Sequence, residues 1–451
     1  MSGAANVRGT LDTIATCFEG IVPATICSCA ADGTPNVTYL SIVHRLDDWH
    51  VGLSYQFFNK TRKNVLENPM VQVIVVSPET ADQYRLDLQY ERTEVAGPVF
   101  DRMSTRLAAV ASQTGMSQIF TLRGVDVYRV LDCRPVNAES QVEAAPLREY
   151  LARVESVTEQ LATCLDLDSL LETALANLAT LFGYANTFVM IPDEAGQRLY
   201  TIASRGYDAS GVGSEVWLGD GMLGVAAERR TIVRTTSMTR DRVFSRAVRS
   251  SVEQSGKHHL EQEIPLPGLP HLESQVVAPL VARGELLGIL CIQSDEVGRF
   301  LVDDERVIQI VGRHLAASMA TLRNPPPAEP PAVEPRRAPR PAAGLTSTIK
   351  HYRSDDSIFV DEAYLIKGIA GRILWKLLRI YDTEQRLQFT NREIRLDETL
   401  QLPDIKDNLE ARLILLRRRL ADKSEVLRVV PEGRGRFRLD IRHPLVLVEH
   451  P

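Results

Sequence analysis

The chain has 451 residues and a formal net charge of −6, long enough for about three domains at ~150 residues each. Hydrophobic residues make up 44% and charged residues 24%, as in ordinary soluble globular proteins. No apolar run approaches the roughly 20 residues that cross a bilayer, and the opening MSGAANVRGT lacks a signal-peptide pattern, so membrane and secretory classes are excluded and a cytoplasmic protein is expected.

Residues 20–131 alternate as short strands separated by turn signals, with Asp32-Gly33 in a hairpin position, which predicts an all-β barrel. One helix interrupts it, from Lys60 to Asn68, and ends at Pro69. Its start carries Asn59, Lys60, Thr61, Arg62, Lys63 and Asn64. Free backbone N–H groups and cationic side chains converge at such a helix start, which makes it a natural phosphate site. Cys27 and Cys29 stand on one face of a strand, either as packed reduced thiols or as a redox or cluster-ligating pair. The other cysteines, Cys17, Cys133, Cys164 and Cys291, show no metal-ligand spacing, and no metal site is expected. His44, Arg45 and His50 lie near one another, but no paired carboxylates or triad accompany them, so no catalytic residue is assigned.

The order strand, Asp-Gly turn, strand, then FFNKTRKNVLENPMVQV resembles the flavin-binding split barrel of the pyridoxamine 5′-phosphate oxidase-like proteins. The resemblance spans about 110 residues of a domain bounded at 1–140 and is most specific from Asn59 to Val71. It implies FMN as cofactor, with Tyr55, Asn59, Lys60, Thr61 and Lys63 at its phosphate and ribityl chain. Relatives of this barrel also bind haem or deazaflavin. Asn59 and Thr61 depart from the family's commoner Ser and Lys.

Helical spacing at Leu147, Leu151, Val154, Val157 and Leu161 marks a linker helix within residues 141–164, suited either to pairing with its copy in a dimer or to packing on its own domain. Residues 165–322 then read helix, strands, helix. They carry Gly219-Asp220-Gly221-Met222-Leu223-Gly224, the run Ala278-Pro279-Leu280 and Leu286-Leu287-Gly288-Ile289-Leu290. This segment resembles a GAF domain, an α/β/α sandwich that senses a small molecule. The resemblance implies a ligand pocket, for which Phe188, Met190, Tyr200, Trp217 and Met222 are candidate lining residues. The glycine-rich stretch is a weak phosphate signal and more simply a turn from strand to helix. Residues 240–270, with His258-His259, form a polar insertion.

Residues 323–345 are dominated by Pro, Ala and charge and predict an extended spacer. The last domain, residues 346–451, should contain a helix from about Glu362 to Tyr381 with Leu365, Ile369, Ile373, Leu374, Leu377 and Leu378 inward. A second helix should span Thr390–Leu400, with Thr390 and Glu393 in capping-box spacing. A third follows, capped by Asp407, in which Leu409, Leu413, Leu416 and Leu420 share one face and Asn408, Arg412, Arg418 and Arg419 lie on the other. After Lys423 the period falls to two around Pro431-Glu432-Gly433, which predicts a hairpin bearing Arg434, Arg436 and Arg438. Between Asp404 and Arg442 eleven Lys and Arg face seven Asp and Glu, a local basic excess suited to phosphates.

Helix, spacer and Val430-x-x-Gly433-x-Gly435-x-Phe437-Arg438-Leu439 resemble the winged helix-turn-helix output domain of bacterial response regulators. The resemblance implies DNA binding by the third helix and wing. Together the expectation is a multidomain α+β protein: a homodimeric one-component regulator that senses a flavin, redox or small-molecule signal and acts on DNA. A flavin-dependent oxidoreductase regulated by its GAF domain, or an adaptor whose winged helix binds protein, are the alternatives.

Overall fold

The computed structural model describes residues 11–40, 42–55, 60–78, 80–113, 122–136, 148–193, 196–238, 264–323, 346–400, 409–432 and 435–451. Asn59, Asp407, Asn408, Arg434, His258, His259 and nearly all of the proline-rich spacer lie outside them.

The N-terminal region builds a seven-stranded antiparallel sheet in the order β2-β1-β5-β6-β7-β4-β3. Its strands are β1 (Ala24–Cys29), β2 (Pro35–Leu40), β3 (His44–Arg45), β4 (His50–Tyr55), β5 (Met70–Val76), β6 (Gln83–Glu94) and β7 (Gly124–Pro135). Alternating side chains Ile26, Val71, Val73, Leu86, Leu88 and Val130 are buried together on one side, as period two requires. Helix α1 (Lys60–Glu67) stands where the sequence puts it. A second helix, α2 (Pro98–Gln113), interrupts the expected all-β run. Pro98 at its first position and apolar residues Val99, Phe100, Met103 and Leu107 at helical spacing account for it.

The linker helix α3 (Arg148–Ala162) packs on its own neighbour: Val157 and Leu161 are fully buried in the core of the central domain. That core lies between α3, α4 (Leu167–Phe182) and α6 (Val302–Arg323) and one face of a six-stranded sheet. The sheet runs β10-β9-β8-β13-β12-β11, every pair antiparallel. These strands are β8 (Asn186–Pro192), β9 (Arg198–Arg205), β10 (Glu215–Trp217), β11 (Val233–Thr235), β12 (Ser274–Ala282) and β13 (Glu285–Ser294). Asp166 caps α4 by accepting from the Ser169 N–H at 2.8 Å, and Gly183 closes it in the left-handed conformation. The opposite face of the sheet takes α5 (Gly221–Arg229).

The C-terminal region differs from the sequence reading at its start. Residues 347–366 form β14 (Ser347–Tyr352), β15 (Ser357–Val360) and β16 (Ala363–Ile366), and the first helix, α7 (Gly368–Glu384), begins only after them. Leu365 is therefore a strand residue, buried with Ile373, Leu374, Leu377 and Leu378 of the helix. The last strand, β20 (Leu445–His450), runs parallel to β14 and closes the sheet β16-β15-β14-β20. Then come β17 (Gln388–Thr390), α8 (Asn391–Leu396) with both halves of the Thr390–Glu393 capping box, and α9 (Leu409–Lys423). The hairpin of β18 (Leu427–Pro431) and β19 (Arg436–Ile441) pairs with β17.

Candidate functional site

The molecule places its functional side chains in three regions: the start of α1, the α5 face of the central sheet, and the seat of α9.

At α1, a polar network ties the helix start to the strands beneath it. Asn36 donates to Thr61 Oγ1 at 2.9 Å and to Ser28 Oγ at 3.4 Å, and the buried Asn64 donates to the same serine at 3.2 Å. Thr61 accepts and so keeps its own proton to donate. Lys60 and Lys63 are both exposed. Arg62 is committed elsewhere, paired with Asp126 and donating to Thr93. Two ammonium groups, a free hydroxyl proton and helix-start N–H groups are the donor set a phosphate needs. Tyr55 ends β4 close in sequence. His44 does not join this set. Burial, with the Arg106, Arg234 and Arg102 guanidiniums nearby, pushes it down to about 3, so its imidazole is neutral throughout the physiological range.

On the α5 face of the central sheet, Phe188, Met190 and Met222 of the five candidate lining residues come together, fully or almost fully buried with Leu199, Val216 and Cys291. Tyr200 and Trp217 do not. Period two turns Tyr200 to the opposite face, beside the α3/α4/α6 core, and leaves Trp217 50% exposed with the Arg198 guanidinium 3.8 Å above its ring. Burial holds Cys291 well above the ordinary thiol range and raises Cys133 to about 12, so neither is a thiolate. The N-terminal region closes this face: Ala108 and Ala109 of α2 pack into the same cluster. The glycine-rich stretch is the turn into α5, and its Gly221 N–H donates to Ser112 Oγ of α2 at 2.7 Å. The hydroxyl in turn donates to Gly219 O at 3.2 Å. A serine from another domain thus takes up the first N–H of α5. Gly224 lets α5 lie against the sheet edge, since a Cβ there would sit 2.1 Å from Trp217 O.

A second contact joins the same two regions. Glu19, 2% exposed, pairs with Arg234, 8% exposed, which also donates to Glu305 at 2.9 Å. The other Glu19 oxygen accepts from the Val302 N–H at 3.2 Å, so all partners of the carboxylate lie in the central domain.

The third region corrects the sequence reading most. Arg412, Arg418 and Arg419 do not stand free in solvent. Leu409, Leu413, Leu416 and Leu420 fill the C-terminal core, while Ala411 and Ile414, roughly half a helical turn away, are fully buried in the core of the central domain. Arg418 continues that second face. It donates to Ile202 O of β9 at 3.0 Å and to Asp168 of α4 at 2.8 Å, and Arg417 pairs with the same carboxylate at 3.2 Å. Glu410 accepts from the Leu167 N–H at 3.3 Å, and Ser210 donates to Asp422. Arg412 and Arg419 are each 4% exposed on the flank, with Arg419 donating to Leu365 O at 2.9 Å. On the hairpin, Arg438 pairs with Glu432 at 3.0 Å and Asp440 at 3.3 Å, while Arg436 is half-buried. A cleft of about 840 Å³ runs beside the α9 seat, with charges of both signs on each wall, Glu215 and Arg230 on one and Asp356 and Arg372 on the other. No sequence signal marks Asp168 or Ile202 as partners, since the contacts span more than 200 residues. Among the described residues no group of three or more His, Cys, Asp or Glu side chains is placed to hold a metal ion.

Residues 166–319 match the family model of the GAF domain. This segment is a GAF domain. Its presence gives the chain a sensory or signalling module. No curated protein matches the sequence. Among solved structures, the GAF domain of an Acinetobacter phosphoenolpyruvate-protein phosphotransferase is 19% identical, over 39% of this chain and 95% of its own, with a TM-score of 0.32. An FMN-binding protein from Syntrophomonas wolfei is 17% identical over 30% of this chain and 92% of its own, with a TM-score of 0.26. Residues 122 to 287 of a methyl-accepting chemotaxis protein are 17% identical over 36% and 94%, with a TM-score of 0.27. Among the described residues no helix is long and apolar enough to cross a membrane.

Proposed function

We propose that the chain is a one-component transcriptional regulator of the cytoplasm, in which the N-terminal sheet and the GAF domain receive a small-molecule or redox signal and a C-terminal winged helix carries it to DNA. The observation that supports the DNA arm is the order of elements after residue 346. Three helices lie in the chain between the third and the last strand of a four-stranded sheet, and a Gly-x-Gly hairpin bearing Arg436 and Arg438 follows the third helix. Basic excess across 404–442, eleven against seven, suits a phosphate backbone.

The N-terminal sheet is read as an FMN split barrel, with Lys60, Thr61 and Lys63 holding the phosphate. Bound flavin would supply redox chemistry, and the chain's own part is to bind and orient it. Val37 and Tyr39, 63% and 81% exposed on edge strand β2, favour self-association there, and a homodimer on a two-fold operator follows.

Genome-wide mapping of the intact protein, with an absorption spectrum of the purified and FMN-reconstituted chain, tests both arms separately. Enriched sites sharing a two-fold sequence are expected, together with a flavin band. Absence of any enriched site removes the DNA arm, and a colourless reconstituted protein removes the flavin arm. One observation favours a second reading, an adaptor whose winged helix binds protein: the outer face of α9 carries Ala411 and Ile414 and already rests on a protein surface.

A further inference from the structure

We propose that the seating of α9 on the GAF domain is an autoinhibitory clamp, in which Asp168 and the Ile202 carbonyl hold the face of the helix that bears Arg418 and withhold it from DNA. The proposal rests on the reading of the C-terminal domain as a DNA-binding winged helix. A helix that packs its leucine face on its own domain can enter a major groove only with the opposite face. In α9 that opposite face is the one bearing Ala411, Ile414, Arg418 and Asp422, spaced three, four and four residues apart. Each of these four residues is engaged by the GAF domain, through apolar burial, through Ile202 and Asp168, or through Ser210. DNA and the GAF domain therefore compete for one surface, and both cannot hold it.

The chemistry of the seat mimics what it displaces. Asp168 presents a carboxylate to two adjacent guanidiniums, Arg417 and Arg418, at 3.2 and 2.8 Å, as a backbone phosphate would. The pair is exposed enough, at 19% for each arginine and 30% for the aspartate, to be screened and reopened. Release also has a route from the sensor. Ile202 belongs to β9, whose Leu199 is buried in the cluster on the α5 face, so a ligand that shifts β9 shifts the carbonyl that Arg418 reads. Such a ligand acts only by its difference in affinity for the seated and released states.

The test uses the full chain and Asp168→Lys, a change on the GAF side that leaves every α9 residue intact. Amide hydrogen exchange across residues 409–423 reports release without reference to DNA. Binding to a mixed-sequence DNA duplex at fixed salt reports function. Asp168→Lys should accelerate exchange in α9 and tighten duplex binding at least tenfold, and adding Arg418→Glu to it should restore slow exchange. Asp168→Asn, close to the native side chain in size, should give the same changes more weakly and serves if the lysine variant does not fold. Unchanged exchange in both variants overturns the clamp. Faster exchange with duplex affinity equal to that of a wild-type chain that itself binds also overturns it, and leaves the DNA reading standing. Faster exchange with no duplex binding by any of the chains overturns the clamp and the DNA reading together.

Discussion

The GAF domain meets its two neighbours in different ways. Toward the N-terminal region the joint is buried: Ala108 and Ala109 enter the apolar cluster, Ser112 fills the start of α5, and the buried Glu19–Arg234–Glu305 triad crosses the boundary. Toward the C-terminal domain, two apolar side chains are flanked by partly solvent-exposed ion pairs and a cleft of about 840 Å³. Buried ion pairs are costly to break because each partner left behind is an unpaired charge, whereas exposed ones are worth little. The first joint is thus built to stay closed and the second to open.

The sharpest way to break this comparison is at Glu19. Glu19→Ala leaves the buried Arg234 with Glu305 and the Phe300 carbonyl as partners, and a loss of about 3 kcal/mol, the low end of the range for breaking a buried pair, is expected. Denaturant unfolding of the full chain should show the N-terminal sheet and the GAF domain losing stability together. Separate transitions for the two would show that they are not one unit. Next comes Ile414→Ala, which empties a fully buried position. Such truncations cost about 2–5 kcal/mol in a fixed core. At an interface that separates readily the cost is capped by the free energy of opening, so a much smaller loss of global stability is expected, with α9 exchanging faster. A full core-sized loss would place the C-terminal joint in the same class as the other. Ser112→Ala removes an interdomain helix cap, and about 1 kcal/mol is expected from the loss of such caps, read as a lowered unfolding midpoint.

Local pattern made much of this architecture legible. Four of the strands of the GAF sheet (β8, β9, β12 and β13), the Thr390–Glu393 capping box and the two faces of α9 follow from periods of two and 3.6 and from cap chemistry, whereas the three-residue β10 and β11 do not. Helix α2 was equally present in the sequence, at Pro98, Phe100, Met103 and Leu107, but strand signals on both sides obscured it. Strands β14 to β16 are short, and one of them is held by β20, nearly 100 residues later, a pairing that local periodicity does not encode. The cover over the candidate DNA face was illegible for a related reason. Arg412, Arg418 and Arg419 are correctly assigned to the side of α9 away from Leu413, yet a helical wheel cannot show that Asp168 and Ile202 cover part of that side. Basic residues look solvated until a distant segment is folded onto them.

The smallest expected effect tests the same joint by pH. Burial raises the Glu410 carboxyl above its ordinary value near 4.5, against the lowering effect of the Leu167 N–H. Asp166 raises it further, while Arg417 and Arg395 lower it. Because the seated value is the higher one, the seated state is favoured when this carboxyl is protonated. That advantage is complete below the released value and disappears as pH rises through the seated value. Seating should therefore tighten modestly as pH falls from neutrality toward 4.5, seen as slower α9 exchange after correction for intrinsic rates. Glu410→Gln, which keeps an oxygen for the Leu167 N–H and removes the titration, should flatten that dependence and leave seating at neutral pH at least as tight. A Glu410→Gln chain that kept the wild-type pH profile would show that this carboxyl does not set the dependence.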